Sequence, residues 1–295
     1  MFSLKQKKYK YINLFSGIGC WELGLEKLPM ENVLSCEINK YARQTFLENF
    51  SHLPCIKNNK YPLDVAKIDP KDVPNFDILI ASPPCQSFSM AGDRMGLLDK
   101  RDDKGNMFFH TLKILKEKRP KAFILENVKG LLSSEKGRSF KIISDLFKNS
   151  GYSFNYKIIT GVDCGIPQLR QRVFMVGFRG ETDDTCTYKF PEPIPLKFTL
   201  KDVFNCKTCN REIAHTLLTS RSGHKYGEPF NWRWYLVDGK ERILTLQEMQ
   251  KLMGVRDDFK FPGSFNQTFR QLGNGVIVDC ARMVTESVIK YLNKK

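Results

Sequence analysis

Short apolar runs alternate with stretches of helical pattern through the first 179 residues of the chain. Two of these runs, FDILIA at 76–81 and AFIL at 122–125, are almost wholly apolar, which is typical of strands buried on both faces. Strands that alternate with helices predict a mostly parallel sheet covered by helices on both sides. The predicted strands cover residues 11–15, 32–37, 76–81, 122–125, 153–160 and 173–178, and the predicted helices cover residues 20–28, 40–49, 106–118 and 138–149.

The pattern changes after residue 179. Residues 180 to about 240 contain FPEPIP, scattered polar residues and two of the three tryptophans, with little helical periodicity. This composition predicts a separate, irregular, strand-rich unit. Helical order returns with the capping-box spacing of TLQE at 245–248, and a last helix is predicted over 276–293. We therefore expect one domain over residues 1–179, completed by residues 268–295, and a second over residues 180–267.

The charge balance favours a polyanionic partner. The chain carries 47 Lys and Arg against 32 Asp and Glu, a formal net charge of +15, which favours nucleic acid over an anionic membrane. No apolar run approaches the roughly 18 residues of a spanning helix, and the N-terminus lacks a signal-peptide pattern. Nine cysteines at irregular spacing are read as buried small residues of a reducing compartment, with at most one reactive thiol.

The sequence FSGIG at 15–19 lies between the first predicted strand and its helix. Glycines there let a ligand approach the backbone, and the helix N-terminus attracts an anionic group. Glu37 ends the next strand, 18 residues beyond Gly19, where a carboxylate can accept both hydroxyls of a ribose. Trp21 and Glu22 occupy the region of a third glycine, which disfavours nicotinamide and leaves other nucleoside cofactors open. The alternative is a tight turn without a ligand.

The sequence SPPCQSFS at 82–89 follows a predicted buried strand, and ligands of such sheets bind at the carboxyl ends of the strands. The two prolines fix the backbone ahead of Cys85. A thiol held there can act as a nucleophile if its pKa falls below about 8.5. The alternative is a buried cysteine after a rigid turn.

Two more groups of polar residues flank predicted strands. Glu126 comes directly after the predicted strand at 122–125, so its carboxylate could face Cys85 and act as an acid or hydrogen-bond donor. The alternative is a carboxylate that caps a helix or lies in a loop. In QLRQR at 168–172, Gln168, Arg170 and Arg172 share one face because alternate strand residues point the same way. Two guanidinium groups suit phosphate or base oxygens, although a solvated basic stripe would look the same.

Taken together and in this order, the motifs resemble those of the cytosine-C5 DNA methyltransferase family over nearly the whole chain. The resemblance implies an α/β fold, a Rossmann-like S-adenosylmethionine-dependent methyltransferase sheet with a small, irregular, strand-rich target-recognition domain. It implies a DNA (cytosine-5-)-methyltransferase of the bacterial restriction-modification type. The motifs are NLFSGIG at 13–19, PPCQSFS at 83–89, ENVKG at 126–130, QLRQR at 168–172, RILTLQEMQKLMG at 242–254 and QLGNGV at 271–276.

The resemblance also implies catalytic roles. Cytosine C5 is too weak a nucleophile to take a methyl group unaided, so Cys85 would add to C6 as a covalent catalyst. Glu126 would hold the N3/N4 edge of the base, Arg172 would contact O2 and Arg170 would support the loop. S-adenosylmethionine would give its methyl group to C5 and leave as S-adenosylhomocysteine. Because none of this is possible in a stacked duplex, the base must be flipped out.

The cofactor residues follow by the same resemblance, with Glu37 on the ribose and Asp64 on the adenine amino group. Three positions depart from the family pattern: Asn13 replaces a common acidic residue, Cys20 a common glycine and Lys104 a usual arginine. The first two bear on cofactor geometry and the third on loop closure. The residues implied to bind the cofactor are Phe15, Gly17, Ile18, Gly19, Glu37, Ile38, Asp64, Pro83, Asn274 and Val276.

The region from about residue 180 to 235 corresponds to the target-recognition region and is basic and aromatic. About three or four side chains of one module usually reach base edges, which suggests a target of about four to six base pairs. The lone C-x-x-C of Cys206 and Cys209 has no second pair at finger spacing, so we expect no metal site. The candidate DNA-contacting residues are Gln86, Ser89, Gln168, Arg211, Thr219, Arg221, Lys225 and Arg233.

The expected partner is double-stranded DNA, bound by a monomer in the cytoplasm of a bacterium, at the nucleoid and not at a membrane. A cognate restriction endonuclease would act on the same site without forming a stable complex. Two alternatives stay open. A tRNA-methylating member of the family would typically carry threonine at Ser89 and a different sequence after the catalytic loop. A catalytically silent DNA-binding regulator would lack Cys85 or Glu126, and both are present.

Overall fold

Six strands form the central sheet of this computed structural model, which describes residues 8–84, 107–219 and 234–295. The strand order is β2-β1-β3-β4-β6-β5, and β7 and β8 form a separate hairpin. The described strands are β1 (Tyr9–Leu14), β2 (Met30–Cys36), β3 (Ile78–Ala81), β4 (Ala122–Val128), β5 (Asn155–Thr160), β6 (Gln171–Phe178), β7 (Trp234–Val237) and β8 (Lys240–Ile243). The described helices are α1 (Cys20–Leu25), α2 (Lys40–Phe50), α3 (Pro54–Lys57), α4 (Met107–Lys118), α5 (Arg138–Lys148), α6 (Leu200–Phe204), α7 (Leu246–Leu252), α8 (Phe265–Asn274) and α9 (Val278–Leu292).

The direction of β6 sets the sheet topology. β6 is antiparallel to both of its neighbours, β4 and β5, whereas the pairs among β2, β1, β3 and β4 are parallel. A parallel connection needs a crossover of about a dozen residues or more. Only residues 161–170 separate β5 from β6, so the chain reverses there. The predicted mostly parallel sheet is confirmed, with β6 as its reversed strand.

The side chains of β3 alternate between two apolar layers. Ile78 and Ile80 pack in the layer that contains α1 and α9, whereas Leu79 and Ala81 pack in the layer that contains α4 and α5. All four are fully buried. Burying an isoleucine or leucine side chain stabilises a fold by roughly 1.5–3 kcal/mol. The two layers explain why the strand is apolar without a polar face, as predicted.

The strands and helices predicted up to residue 179 are present among the described residues, with ends that differ by three residues or fewer. The capping box at Thr245 is confirmed: its side chain accepts from the Glu248 N–H, and α7 follows. Helix α8 was not predicted from the sequence, although Ser264 and Gln267 form a capping box at its start. None of the helices in the described ranges is long and apolar enough to cross a membrane.

The described residues between 180 and 267 contain α6, α7 and the β7–β8 hairpin. Asp238 and Gly239 form the hairpin turn with φ of 46° and 76°, the pattern of a type I′ turn. Apolar side chains of this region, Phe204 and Tyr235 among them, belong to the same buried cluster as α1 and α9. The division into two domains stays a prediction, and its proposed boundary at residue 267 falls inside α8.

Candidate active site

Four parallel strands end side by side at one edge of the sheet. Cys36 of β2 pairs with Leu14 of β1, and Leu14 pairs with Ala81 of β3. Ala81 in turn pairs with Leu125 of β4. We call this edge the active-site edge, because ligands of such sheets bind beyond the carboxyl ends of the strands. The residues that immediately follow these four are Glu37, Phe15, Ser82 and Glu126.

Residues 15–19 turn the chain from β1 into α1 through left-handed backbone conformations. Phe15, Gly17 and Gly19 have φ of 64°, 59° and 92°. An added Cβ at Gly19 would lie 2.2 Å from a ring carbon of Phe50, so both the conformation and the space require glycine there. Phe15 adopts this conformation at a cost of about 1–2 kcal/mol.

Glu37 ties this loop to the end of β2. Its Oε2 accepts a hydrogen bond from the Gly17 N–H at 2.7 Å, and its Oε1 accepts one from the Asn39 N–H at 2.7 Å. Burial raises the pKa of the Glu37 carboxyl, against the lowering effect of these two donors. Each carboxylate oxygen can accept more than one hydrogen bond, so Glu37 keeps capacity for hydroxyl groups of a ligand.

The other predicted cofactor residues are divided between the surface and the interior. Ile38 is 68% exposed, and Asn274 is also exposed at the end of α8. Asp64 is half-buried, and its Oδ1 accepts from the Ala66 N–H at 2.9 Å in a short 3₁₀ turn. The buried members of the predicted set are Ile18, Gly19, Pro83 and Val276.

Cys20, one of the departures from the family pattern, lies against the closing motif. An added Cβ at Gly275 would lie only 2.9 Å from the Cys20 Sγ. Burial raises the pKa of the Cys20 thiol to about 12. Cys20 is therefore a packing residue, and the missing side chain at Gly275 makes room for it.

Asn13, the other described departure, binds a buried carboxylate that has no part in the predicted site. The Asn13 amide donates to both oxygens of Glu22, at 2.8 and 3.0 Å. Asn32 and Ser35 of β2 also donate to Glu22. Burial raises the pKa of Glu22 to about 7. An acidic residue at 13 would place a second carboxylate here, so the asparagine at this position was the sequence signal that could have revealed the cluster.

The buried Glu126 and the half-buried Arg172 form an ion pair beside the active-site edge. The Glu126 Oε1 and the Arg172 Nε are 3.0 Å apart. Antiparallel pairing of β4 with β6 sets Val128 opposite Arg172, so the two charged side chains lie on one face of the sheet. Glu126 is only 7% exposed. The structure thus brings together two of the predicted catalytic residues from separate motifs.

Arg170 occupies a different environment from Arg172, although the two lie two residues apart. Its guanidinium group is 1% exposed and donates to the carbonyl oxygens of Leu217, Gly273 and Gly275, at 3.0, 2.7 and 2.6 Å. Burial lowers the pKa of Arg170 to about 9. Its hydrogen bonds go to backbone carbonyls, so in this structure Arg170 holds backbone segments together, and its predicted support of the loop stays a prediction.

Gln168 is also interior. Its Nε2 donates to the Leu252 carbonyl at 2.8 Å, and its Oε1 accepts from the Leu217 N–H at 3.1 Å. The side chain is fully buried. Both ends of its amide bind the backbone in this structure, and the DNA contact of Gln168 stays a prediction. Pattern alone could not distinguish this interior face from a solvated one.

Several predicted residues lie outside the described residues: Cys85, Gln86, Ser89, Lys104, Arg221, Lys225 and Arg233. Of the described DNA-contacting candidates, Thr219 is exposed and Arg211 is half-buried, with its Nε on the Ile213 carbonyl at 3.3 Å. Cys206 and Cys209 are free thiols. Within the described ranges, no group of three potential metal ligands is present.

Comparison with known proteins identifies the family. The family described as C-5 cytosine-specific DNA methylase matches residues 9–220 and 198–290. The type II methyltransferase M.NgoBI of Neisseria gonorrhoeae is 38% identical over 301 residues, covering 92% of this chain and 90% of the relative. M.HhaI, a type II methyltransferase of Haemophilus parahaemolyticus, is 29% identical and covers 100% of this chain and 99% of its own.

Solved structures agree on the fold. A DNMT2 mutant from Spodoptera frugiperda has a TM-score of 0.71 at 19% identity, covering 96% of this chain and 100% of that chain. The methyltransferase EhMeth of Entamoeba histolytica has a TM-score of 0.69 at 18% identity, and the match covers 97% of this chain and 99% of EhMeth. The sheet and helices are therefore those of a Rossmann-like methyltransferase. With its motifs at the active-site edge and its match to the family model, this chain belongs to the C-5 cytosine-specific DNA methylase family.

Proposed function

We propose that this chain transfers a methyl group from S-adenosylmethionine to C5 of a flipped-out cytosine in a short, specific DNA sequence, through a covalent bond between Cys85 and C6. The Glu126–Arg172 ion pair carries this proposal, because it sets a carboxylate and a guanidinium beside the strand end from which the Cys85 segment continues. An acceptor and a donor side by side at one edge of the sheet suit the polar edge of a pyrimidine.

The chemistry assigns each group one task. The Cys85 thiolate adds to C6, and the electrons of the C5–C6 double bond become available at C5. Glu126 binds the N3/N4 edge and delivers a proton to N3, so that negative charge does not accumulate on the ring. Arg172 donates to O2 and keeps Glu126 oriented. When bound, S-adenosylmethionine supplies an electrophilic methyl group. Loss of the C5 proton to solvent then lets the C6–S bond break and restores the Cys85 thiolate, and N3 returns its proton to Glu126.

The residues around the β1 and β2 ends fit a nucleoside-containing donor. Glu37 keeps acceptor capacity for ribose hydroxyls, and exposed Ile38 offers an apolar surface for a flat base. We assign Asp64 to the adenine amino group and Asn274 to the methionine end. The rest of the proposed donor site comprises Phe15, Gly17, Ile18, Gly19, Pro83 and Val276.

Double-stranded DNA is the proposed substrate, which the net charge of +15 favours. The base must leave the duplex because the reacting atoms are inaccessible in the stack. Residues 180–267 would read the target, with Arg211 and Thr219 as described candidates. We propose that the chain acts as a monomer, on sites shared with any cognate endonuclease. The relatives, 29–38% identical, are named type II methyltransferases, which favours DNA over tRNA.

The test is a methylation reaction with purified protein, S-adenosylmethionine and unmethylated genomic DNA, read base by base for 5-methylcytosine. We expect methylation confined to one short motif, and none with Cys85→Ser, which should still bind the donor. Methylation of tRNA in place of DNA would move the enzyme to the RNA-modifying branch. Full activity of Cys85→Ser would exclude the covalent route, and silence on both substrates would indicate a binding protein.

A further inference from the structure

The chain leaving β3 toward Cys85 is held on both sides by side chains that the proposed mechanism does not use. We propose that Asn127 of β4 and Trp21 of α1 are positioning residues for the nucleophile, because they bind Pro83 and Ser82, the residues just ahead of Pro84 and Cys85. The inference rests on the proposed function, in which Cys85 attacks the base.

Asn127 extends the contact between β3 and β4 beyond the end of their ladder. The last paired residues are Ala81 and Leu125. Pro83 and Asn127 each lie two positions further along, so they would face each other if the ladder continued. Pro83 has no N–H to donate, and its carbonyl accepts from the Asn127 Nδ2 at 2.8 Å. The Asn127 Oδ1 accepts from the Val128 N–H at 2.9 Å, which fixes the orientation of the amide. Asn127 is 4% exposed, so water does not compete for this bond.

Trp21 of α1 binds the same segment at Ser82, which also contacts β1, the other strand neighbour of β3. Its indole N–H donates to the Ser82 Oγ at 3.1 Å, and the Ser82 N–H donates to the Leu14 carbonyl at 3.3 Å. The Trp21 ring is buried and meets Phe174 edge-on, with centroids 6.2 Å apart. Trp21 lies two residues after Gly19, the last residue of the loop at 15–19. It therefore links the proposed donor site to the chain that carries the nucleophile.

The two contacts have a common consequence. Asn127 is adjacent in sequence to Glu126, so one short piece of β4 sets both the carboxylate that binds the base and the origin of the Cys85 segment. A displacement of about 1 Å between reacting groups can lower a rate by about a hundredfold. Loss of either contact should therefore slow attack at C6 more than it weakens donor binding.

Attack at C6 can be measured without the methyl donor. When Cys85 adds to C6, C5 takes a proton from water; loss of the original C5 hydrogen and breakage of the C6–S bond then return cytosine and thiolate. Release of tritium from DNA containing [5-³H]cytosine reports this cycle. We compare wild type with Asn127→Ala and with Trp21→Phe, which keeps an aromatic ring and removes the N–H. Asn155→Ala, which removes a half-buried amide from β5, is the matched control.

We expect Asn127→Ala to lower tritium release and kcat by about 10- to 100-fold, and Trp21→Phe by a smaller factor in the same direction, with KM for S-adenosylmethionine little changed. Asn155→Ala should behave as wild type. If Asn127→Ala melts below the assay temperature, Trp21→Phe and Ser82→Ala decide the result. Two results would overturn the inference and leave the proposed function intact. The folded variants could release tritium as fast as wild type, or Asn155→Ala could lose as much tritium release as Asn127→Ala. No release and no methylation by wild type overturns the proposed function itself.

Discussion

The two halves of the active-site edge are built by different kinds of contact. In the cofactor half, which comprises the segments after β1 and β2, the hydrogen bonds are local: Glu37 binds Gly17 and Asn39, 20 and 2 residues away. The substrate half comprises the carboxyl end of β4, the start of β6 and residues 168–170. There the contacts are distant in sequence: Arg170 binds the Gly273 carbonyl, 103 residues away. Local contacts form with the loop itself, whereas the substrate half is complete only when the C-terminal segments have packed.

Neutralising Glu126 should give the largest effect, because it removes the charged group at the centre of the substrate half. Glu126→Gln keeps the size of the side chain but loses the ion pair with Arg172 and the proton donor for N3. General acid–base groups contribute about 10²- to 10⁴-fold, so kcat should fall by that factor while donor binding is retained. Single-turnover methylation measures it, and Glu117→Gln on the exposed face of α4 is the control. A fall in kcat of less than about threefold, far below that range, would show that Glu126 does not act as the acid in the reaction.

Replacing Arg170 should test whether distant packing supports the substrate half. Arg170→Met leaves three carbonyl groups without their donor, and a buried unsatisfied polar group costs about 1–3 kcal/mol. We expect the free energy of unfolding to fall by about 3 kcal/mol or more, measured by urea denaturation. Arg138→Met, at an exposed position on α5, should change little. Equal stability of the two variants would show that Arg170 does not hold these segments together.

The same difference explains what the sequence could predict. The residues of the cofactor half lie near one another in sequence, so Glu37 could be linked to the loop at 15–19 by spacing alone. The pairing of Glu126 with Arg172 was also within reach, because each ends or begins a recognisable strand. The side-chain directions of Gln168 and Arg170 could not be predicted in this way. Only the tertiary fold brings near the segments that bind them, which include Leu217 and the carbonyls of residues 273 and 275. Of the cluster around Glu22, only the asparagine at position 13 gave a signal in the sequence, because the other donors, Asn32 and Ser35, come from β2.

A change at Glu37 should affect the cofactor half alone. Glu37→Gln retains one acceptor oxygen but loses the charge that strengthens its hydrogen bonds. Hydrogen bonds to charged groups contribute about 1.5–3 kcal/mol, so the Kd for S-adenosylmethionine should rise by about 10- to 100-fold. Isothermal titration without DNA measures this directly, with Glu31→Gln near the start of β2 as the control. An unchanged Kd together with a lowered kcat would place Glu37 outside the donor site.

The smallest effect is expected beneath the cofactor half, at Asn13, and it should depend on pH. Because burial raises the pKa of Glu22 from 4.5 to about 7, the folded state binds more protons than the unfolded state in that interval, and this contribution to stability is lost as the pH rises from about 4.5 to 7. In Asn13→Asp the two carboxylates repel each other when both are charged. We therefore expect the variant to lose about 1–2 kcal/mol relative to wild type at pH 8 and less at pH 5, since the proton on Glu22 then supplies the missing donor. Urea denaturation across this range measures the difference. Ser51→Asp, at an exposed position after α2, controls for the added charge. If Asn13→Asp loses the same free energy of unfolding at every pH, Glu22 does not change its charge in the folded protein.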